Sequence, residues 1–430
     1  LKLFQPQATD RPSLRHRVSM TLMRSFLAQE ITLAVLVAHQ TLTALASYQI
    51  MRTGAHNSSR ARTSSGFSEA YDDFRQRFGR VGVPDVVGYE TRLRHFEDAV
   101  KEVERFNARK GASWVAAVNR FADYTPGERR ALLGYRRSAS APALASEPAP
   151  ASFLESRERG ISVADSMDWR SKVQISKNYV HDQGSCGSCW AVAAVGALEM
   201  HAELNGRKPI HPLSFEQLVD CVENKRHCGG TGGCDGATSE LAFDYVAKHG
   251  IVEARSYSGG YMTDSSNNFR CPSLVQSTRT AVHTGGFKRL ATNKVAPLLE
   301  YVSSTGPAVV SVDASKWGFF GNGVFSECPR NATVNHAVLL VGYGHDTKYK
   351  MDYWLIRNSW GANWGENGYI RLQRHLKDTG EAGHCGTDPD NQQGVGCEGD
   401  PKEVPVCGMC GVLSDSTHPT DVMVSHHEEV

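Results

Sequence analysis

The sequence predicts an α+β fold, and three observations carry that expectation. Residues 67–137 are rich in Arg and Glu and low in Gly and Pro, with Leu93, Phe96, Val100, Val103 and Phe106 at helical spacing. Val192 to Asn205 is a second, Gly-poor helical run that stops before Gly206. Ala308 to Val312, Ala337 to Val341 and Tyr353 to Ile356 are β-rich runs in a background of Gly, Trp and Tyr. All 11 cysteines lie between Cys186 and Cys410, so a cysteine-free upstream part precedes a cysteine-rich domain. With 47 Lys plus Arg against 46 Asp plus Glu, the net charge of +1 creates no whole-chain field that would draw nucleic acid or an acidic membrane.

Taken in order, residues 1–46 read as upstream residues and an export signal. Met20 or Met23 precedes the basic Arg24, the apolar stretch Ile31 to Ala38 and the small-residue site Ala44-Leu45-Ala46. Gln29, Glu30, His39 and Gln40 interrupt the stretch, which falls short of the roughly 20 apolar residues of a membrane anchor. Export makes Asn57-Ser58-Ser59 and Asn331-Ala332-Thr333 glycosylation sequons. Residues 67–137 form the helical segment. Residues 138–160 open with the Pro/Ala/Ser run Ser138 to Ser152, which cannot bury a core and reads as a linker and cleavage region. Residues 161–430 are the folded domain.

The chemistry centres on Gln183-Gly184-Ser185-Cys186-Gly187-Ser188-Cys189-Trp190-Ala191. Cys189 stands at the start of a helix, where free N–H groups and the dipole favour a thiolate, so its pKa is expected below the free value of about 8.5. By itself Cys-x-x-Cys also fits a redox pair or half a zinc site. Two further words narrow the choice: Asn335-His336-Ala337-Val338, and Asn358-Ser359-Trp360-Gly361 followed by Trp364-Gly365-Glu366-Asn367-Gly368-Tyr369. His336 and Asn358 lie 147 and 169 residues after Cys189.

These three motifs, in this order, resemble those of the papain-like cysteine peptidases, and the likeness covers most of Asp168 to Leu413. The resemblance implies a two-lobed fold, a helical lobe carrying Cys189 and a β-barrel-like lobe carrying His336 and Asn358, with the cleft between them. It implies a cysteine endopeptidase in which His336 pairs with the Cys189 thiolate and later protonates the leaving amine, while Asn358 orients the ring. The Gln183 side chain and the Cys189 N–H would stabilise the oxyanion, and Trp360 would shield the His–Asn bond. Gly187, Gly236, Thr238, Ser311 and Asp415 would line substrate subsites. Asp415 falls at the floor of the pocket for the side chain two residues before the scissile bond (S2), which suggests tolerance of Arg or Lys beside Leu or Phe. Ala237 departs from the second of two family glycines, so Ala237→Gly is expected to lower KM.

Upstream, Arg92, Phe96, Val103 and Asn107 at intervals of 4, 7 and 4 resemble the inhibitory propeptide of cathepsin L-like enzymes, as does Asn119-Arg120-Phe121-Ala122-Asp123. Gly88 and Ala99 depart from that pattern. The resemblance pairs Cys186 with Cys234, Cys221 with Cys271, and Cys328 with Cys410. Cys228, Cys385, Cys397 and Cys407 stay unassigned, and the Cys407-x-x-Cys410 spacing keeps zinc as an alternative to disulfides. The expected partners are peptide and protein substrates and the chain's own propeptide, with no cofactor, no metal, no nucleic acid and no stable membrane anchor. A monomer in the secretory pathway, lysosome, vacuole or extracellular space is expected. Two other classes stay in view: a catalytically silent binding or storage protein on the same scaffold, and a thiol–disulfide exchanger using Cys186 and Cys189.

Overall fold

A computed structural model describes residues 64–82, 85–135, 163–206, 211–257, 271, 280–377 and 379–425. The export-signal reading of residues 1–46, the Asn57 sequon and the 138–160 linker lie outside the described residues. Internal contacts divide the chain into residues 1–72 and 73–430. Of the first unit only the opening of helix α1 (Ser64–Arg77) is described, and the account below concerns the second.

The upstream segment is built on α2 (Tyr89–Asn107), whose buried stripe is Arg92, Leu93, Phe96, Ala99, Val100 and Val103. Gly88, one of the departures from the propeptide pattern, is the N-cap of this helix with φ 82°, a left-handed conformation that glycine adopts without penalty. At the other end Asn107 donates to and accepts from the backbone of Ala116, at 2.9 Å each, tying α2 to strand β1 (Trp114–Ala116). A short helix α3 (Pro126–Ala131) follows, started by a capping box between Thr125 and Glu128.

Arg92, buried on α2, joins these pieces. Its guanidinium donates to both oxygens of Glu128 (2.7 and 2.6 Å), both of Asp85 (2.9 and 3.0 Å) and the Asp123 carbonyl (3.1 Å). Hydrogen bonding to Arg92 lowers the Asp85 pKa; for Glu128, burial pushes upward and the bonds to Arg92 and Thr125 overcome it. Both carboxyls are lowered in the fold, so they stabilise it above the ordinary carboxylate range. That contribution is lost as pH falls below about 4. Arg92→Ala is expected to cost about 2 kcal/mol, the low end for a broken pair because both carboxylates are about one-third exposed. Urea unfolding of the precursor at pH 7 measures the loss, and the gap to the wild type should close on acidification.

The second part begins with β2 (Met167–Asp168) and the central helix α4 (Cys189–Gly206), buried on every side from Cys189 to Ala202. Helices α5 (Phe215–Cys221) and α6 (Ser239–His249) complete the helical half. The β-rich half follows: β3 (Val282–His283), β4 (Gly286–Arg289), α7 (Val295–Ser304), β5 (Ala308–Val312), β6 (Phe320–Phe325), β7 (His336–Asp346), β8 (Met351–Arg357) and β9 (Tyr369–Gln373). An insertion then carries β10 (Gly386–Asp388) and β11 (Val404–Val406), before β12 (Ser416–Thr420) and β13 (Met423–Val424). The main sheet runs β1-β6-β9-β8-β7-β5-β12-β4, with β2 also on β7. Its path ends at β1 and β4, so strand pairing among the described residues leaves the expected barrel-like half open. One edge is covered by the upstream segment: β1 pairs antiparallel with β6, Trp114 opposite Gly323.

Five disulfides are formed. Cys186–Cys234, Cys221–Cys271 and Cys328–Cys410 are the pairs implied by resemblance; Cys228–Cys397 and Cys385–Cys407 complete the set. Cys407 and Cys410 therefore enter different bridges, and their spacing is not that of a zinc site. Cys189 alone among the described cysteines keeps a thiol.

Candidate active site

Cys189 is the first residue of α4 and His336 the first of β7, so the site is assembled where the central helix meets the sheet. The sulfur accepts the N–H of Ala337 at 3.3 Å, which sets the thiol against the start of the strand that presents the imidazole. His336 Nε2 lies 2.8 Å from Asn358 Oδ1. A carboxamide oxygen only accepts, so Nε2 carries the proton. Nδ1 is then the lone-pair nitrogen, and it has no hydrogen-bond partner among the described residues. This is the tautomer that can take a proton from a thiol. Trp360 lies against the imidazole, ring centroids 5.1 Å apart, and is itself braced edge-on by Trp364.

One electrostatic expectation is corrected. The helix start was expected to lower the Cys189 pKa, whereas in this precursor burial pushes the thiol up to about 11, against N–H groups that pull the other way. Burial also pushes His336 down to about 4 despite its bond to Asn358. Burial thus works against both charged forms, and so against the ion pair, while the site is covered.

The cover is the propeptide. Gln183 Nε2, the expected oxyanion donor, donates to the carbonyl of Leu132 at 3.1 Å and to that of Cys186 at 2.7 Å. Gly134 lies on the thiol: a Cβ there would overlap Cys189 Sγ and stand 2.7 Å from the Gly187 carbonyl. Gly236 fronts the same backbone, since a Cβ on it would overlap the Gly134 carbonyl; its φ of 99° also calls for glycine. Ala237, beside it, is fully buried. Phe121, fully buried, packs edge-on to Trp360 at 5.5 Å.

Tyr135 ends this stretch in the space expected to be S2. It is 2% exposed, and its hydroxyl lies 3.0 Å from Ser311 Oγ, which donates to Asp415 Oδ2 at 2.5 Å. Thr238, buried as the N-cap of α6, lines a cavity together with Asp415. Behind Asp415 stand Glu240 and Arg289, paired at 2.9 Å. Burial, reinforced by the Glu240 charge and opposed by Arg289, pushes the Asp415 carboxyl up to about 7. The structure thus brings together Cys189, His336, Asn358, Gln183, Gly187, Gly236, Thr238, Ser311, Asp415 and Trp360. The sequence reading had missed Leu132, Gly134, Tyr135, Glu240 and Arg289; none belongs to a motif.

Direction matters in this cleft. A substrate running from N to C would pass from the expected S2 to the sulfur, whereas the upstream segment passes Gln183 at Leu132, the sulfur at Gly134, and ends at Tyr135 in that space. Its chain is reversed. Gln183 holds the Leu132 carbonyl while the Cys189 sulfur faces Gly134, so neither peptide unit is set for attack.

Comparison with known proteins agrees with this arrangement. Residues 163–394 match the papain family cysteine proteases, and residues 71–128 match the cathepsin propeptide inhibitor domain. Cysteine protease 1 of Oryza sativa subsp. japonica is 34% identical over 338 residues, covering 76% of this chain and 64% of that protein. Digestive cysteine proteinase 3 of Homarus americanus is 34% identical over 315 residues, covering 72% of this chain and 90% of that protein. Among solved structures, digestive procathepsin L 3 of Tenebrio molitor larval midgut matches with a TM-score of 0.60 and 26% identity, over 82% of this chain and 99% of that one. The chain belongs to the papain family of cysteine proteases and carries its own inhibitor domain in front of the peptidase.

Proposed function

We propose that this chain is the precursor of a cysteine endopeptidase that cleaves peptide bonds through an acyl-enzyme. The observation that carries the reading is the His336 tautomer, with its lone-pair nitrogen on the side left open by Asn358 and a thiol at the start of the same strand. When the propeptide leaves, water reaches both groups, the proton moves from Cys189 to Nδ1, and the thiolate attacks the substrate carbonyl. The Gln183 amide, relieved of Leu132, and the Cys189 N–H then bind the oxyanion. The imidazolium returns its proton to the leaving amine, and water hydrolyses the thioester. Residues 1–46 as an export signal, residues 67–137 as the propeptide, residues 138–160 as the cleavage region and residues 161–430 as the peptidase complete the proposal. Five disulfides support an exported enzyme, and a monomer in the lysosome, vacuole or extracellular space completes the reading. No helix among the described residues is long and apolar enough to cross a membrane.

The test is hydrolysis of fluorogenic peptides by the processed chain, measured against pH with and without a reducing agent. Activity that requires the reductant supports the reading; none under any condition removes it. Asp415 makes a second measurement informative. Part of the burial that raises Asp415 is Tyr135's and leaves with the propeptide, but the Glu240 charge behind it stays, so the carboxyl keeps an upward shift and acceptance of Arg in S2 should grow with pH. We expect the rate ratio of Arg- to Leu-containing substrates to rise about fivefold from pH 5.5 to pH 8, and Asp415→Asn to flatten it. An unchanged rise in the variant would discard the acidic floor.

A further inference from the structure

The Cys228–Cys397 bridge differs from the other four in what it joins. Cys186–Cys234 and Cys221–Cys271 lie wholly before β3, and Cys328–Cys410 and Cys385–Cys407 wholly after it. Cys228 comes from the loop between α5 and α6 of the helical half, and Cys397 from the insertion between β9 and β12 of the β-rich half. Among the described residues it is the one disulfide between the two sides of the cleft.

It crosses at S2. The Gly229 N–H donates to the Gly396 carbonyl at 3.1 Å, and the Glu398 N–H to the Arg226 carbonyl at 2.8 Å, so the two loops run together on both sides of the bridge. Gly229 is also the wall against Tyr135: a Cβ there would lie 2.8 Å from the ring edge, and its φ of 67° favours glycine. On the opposite wall the insertion holds the backbone just before His336. Asp388 Oδ2 accepts the Val334 N–H at 3.0 Å, and a Cβ on Gly394 would overlap the Val334 carbonyl. One insertion therefore holds both the Gly229 loop against the Tyr135 ring and the backbone next to Asn335, whose carbonyl accepts the Tyr135 N–H at 3.2 Å.

We propose that the Cys228–Cys397 bridge is a strap between the lobes that sets the width of S2, admitting one phenol-sized ring two residues before the scissile bond and excluding an indole. Tyr135 shows what fits. The Ser311 hydroxyl donates to Asp415, so toward the phenol it accepts, and the chain of donors runs from Tyr135 to Ser311 to Asp415. An ordinary cleft between two lobes can widen for a larger side chain; a covalent tie at the pocket removes that freedom.

The proposal rests on the peptidase reading, and its test separates the two. The full chain is expressed and processed by limited proteolysis, its active sites are titrated with an epoxide that alkylates papain-like thiolates, and peptides differing only in Tyr or Trp at the S2 position are compared. The wild type should favour Tyr by about thirtyfold in kcat/KM. Cys228→Ser/Cys397→Ser should lower that ratio about tenfold, through a smaller KM for the Trp peptide. Gly229→Ala keeps the strap but sets a Cβ about where the ring edge lies and 2.9 Å from the Ala237 carbonyl, so it should raise KM for Tyr about fivefold. Equal use of Tyr and Trp by the wild type overturns the proposal even where neither variant folds, as does an unaltered ratio in a titratable double variant. Failure of every peptide with the wild type would instead remove the peptidase reading.

Discussion

Replacing Cys189 with Ser is expected to reduce peptide hydrolysis by about 10⁴- to 10⁶-fold while leaving the fold intact. The side chain is fully buried and belongs to no disulfide, so a hydroxyl fills nearly the same space. What changes is acidity. A serine hydroxyl does not yield a stable anion to His336, and nothing else in the site activates it: the imidazole is oriented by an amide, Asn358, and not by a carboxylate. The same variant should lose all labelling by the epoxide. Residual labelling would mean that another group is the nucleophile, and residual hydrolysis near wild-type levels would sink the acyl-enzyme mechanism. A thiol–disulfide exchanger is disfavoured on separate grounds, because Cys186 is bonded to Cys234 and Cys189 has no partner for a redox pair.

Gly134→Val is expected to release the inhibited precursor. The glycine lies where any Cβ overlaps the Cys189 sulfur and presses on the Gly187 carbonyl, and both neighbours are held by backbone that cannot yield cheaply. The propeptide must lift, breaking the Leu132–Gln183 and Tyr135–Ser311 contacts on either side. Overpacking of this kind costs about 1–3 kcal/mol, and the lost hydrogen bonds add to it. Exposure should also restore the ion pair, since burial is what holds the thiol near 11 and the imidazole near 4. Alkylation of Cys189 in the uncleaved precursor at pH 7 should therefore accelerate about 100-fold or more. A rate equal to that of the wild-type precursor would show that the glycine backbone is not what seals the site.

The catalytic residues were legible in the sequence because each needs a particular chemical group next to a recurrent local frame. Cys189 needs a helix start, His336 a strand start and Asn358 a following Trp360, and such frames are written in neighbouring residues. Arg92, Phe96, Val103 and Asn107 were legible for a similar reason, as one face of a helix. Strand β1 was not: Trp114 to Ala116 sits in a stretch of helical composition and becomes a strand only by pairing with β6, about two hundred residues away. Gly134 and Tyr135 carry no pattern, since their role comes from the cleft they happen to cross. Cys228 and Cys397, separated by 169 residues, could not be matched by counting, because spacing does not determine connectivity. The thiol pKa was misjudged for one physical reason: the helix start is local, whereas the burial that outweighs it is imposed by a segment more than fifty residues upstream.

Strand β1 also carries a cost that falls due at maturation. While it is in place, the N–H of Val324 is satisfied by the Ser113 carbonyl at 2.8 Å, the Phe319 carbonyl accepts from Ala117 at 2.9 Å, and Trp114 covers Phe320 and Phe325. Once residues 113–117 are cut away, that ribbon of amides meets water unpaired beside two bared aromatic rings, the kind of margin on which foreign extended chains settle. The freed enzyme should therefore be stickier toward unfolded polypeptide than its precursor, on a rim that Trp317 links to the His336 side of the site.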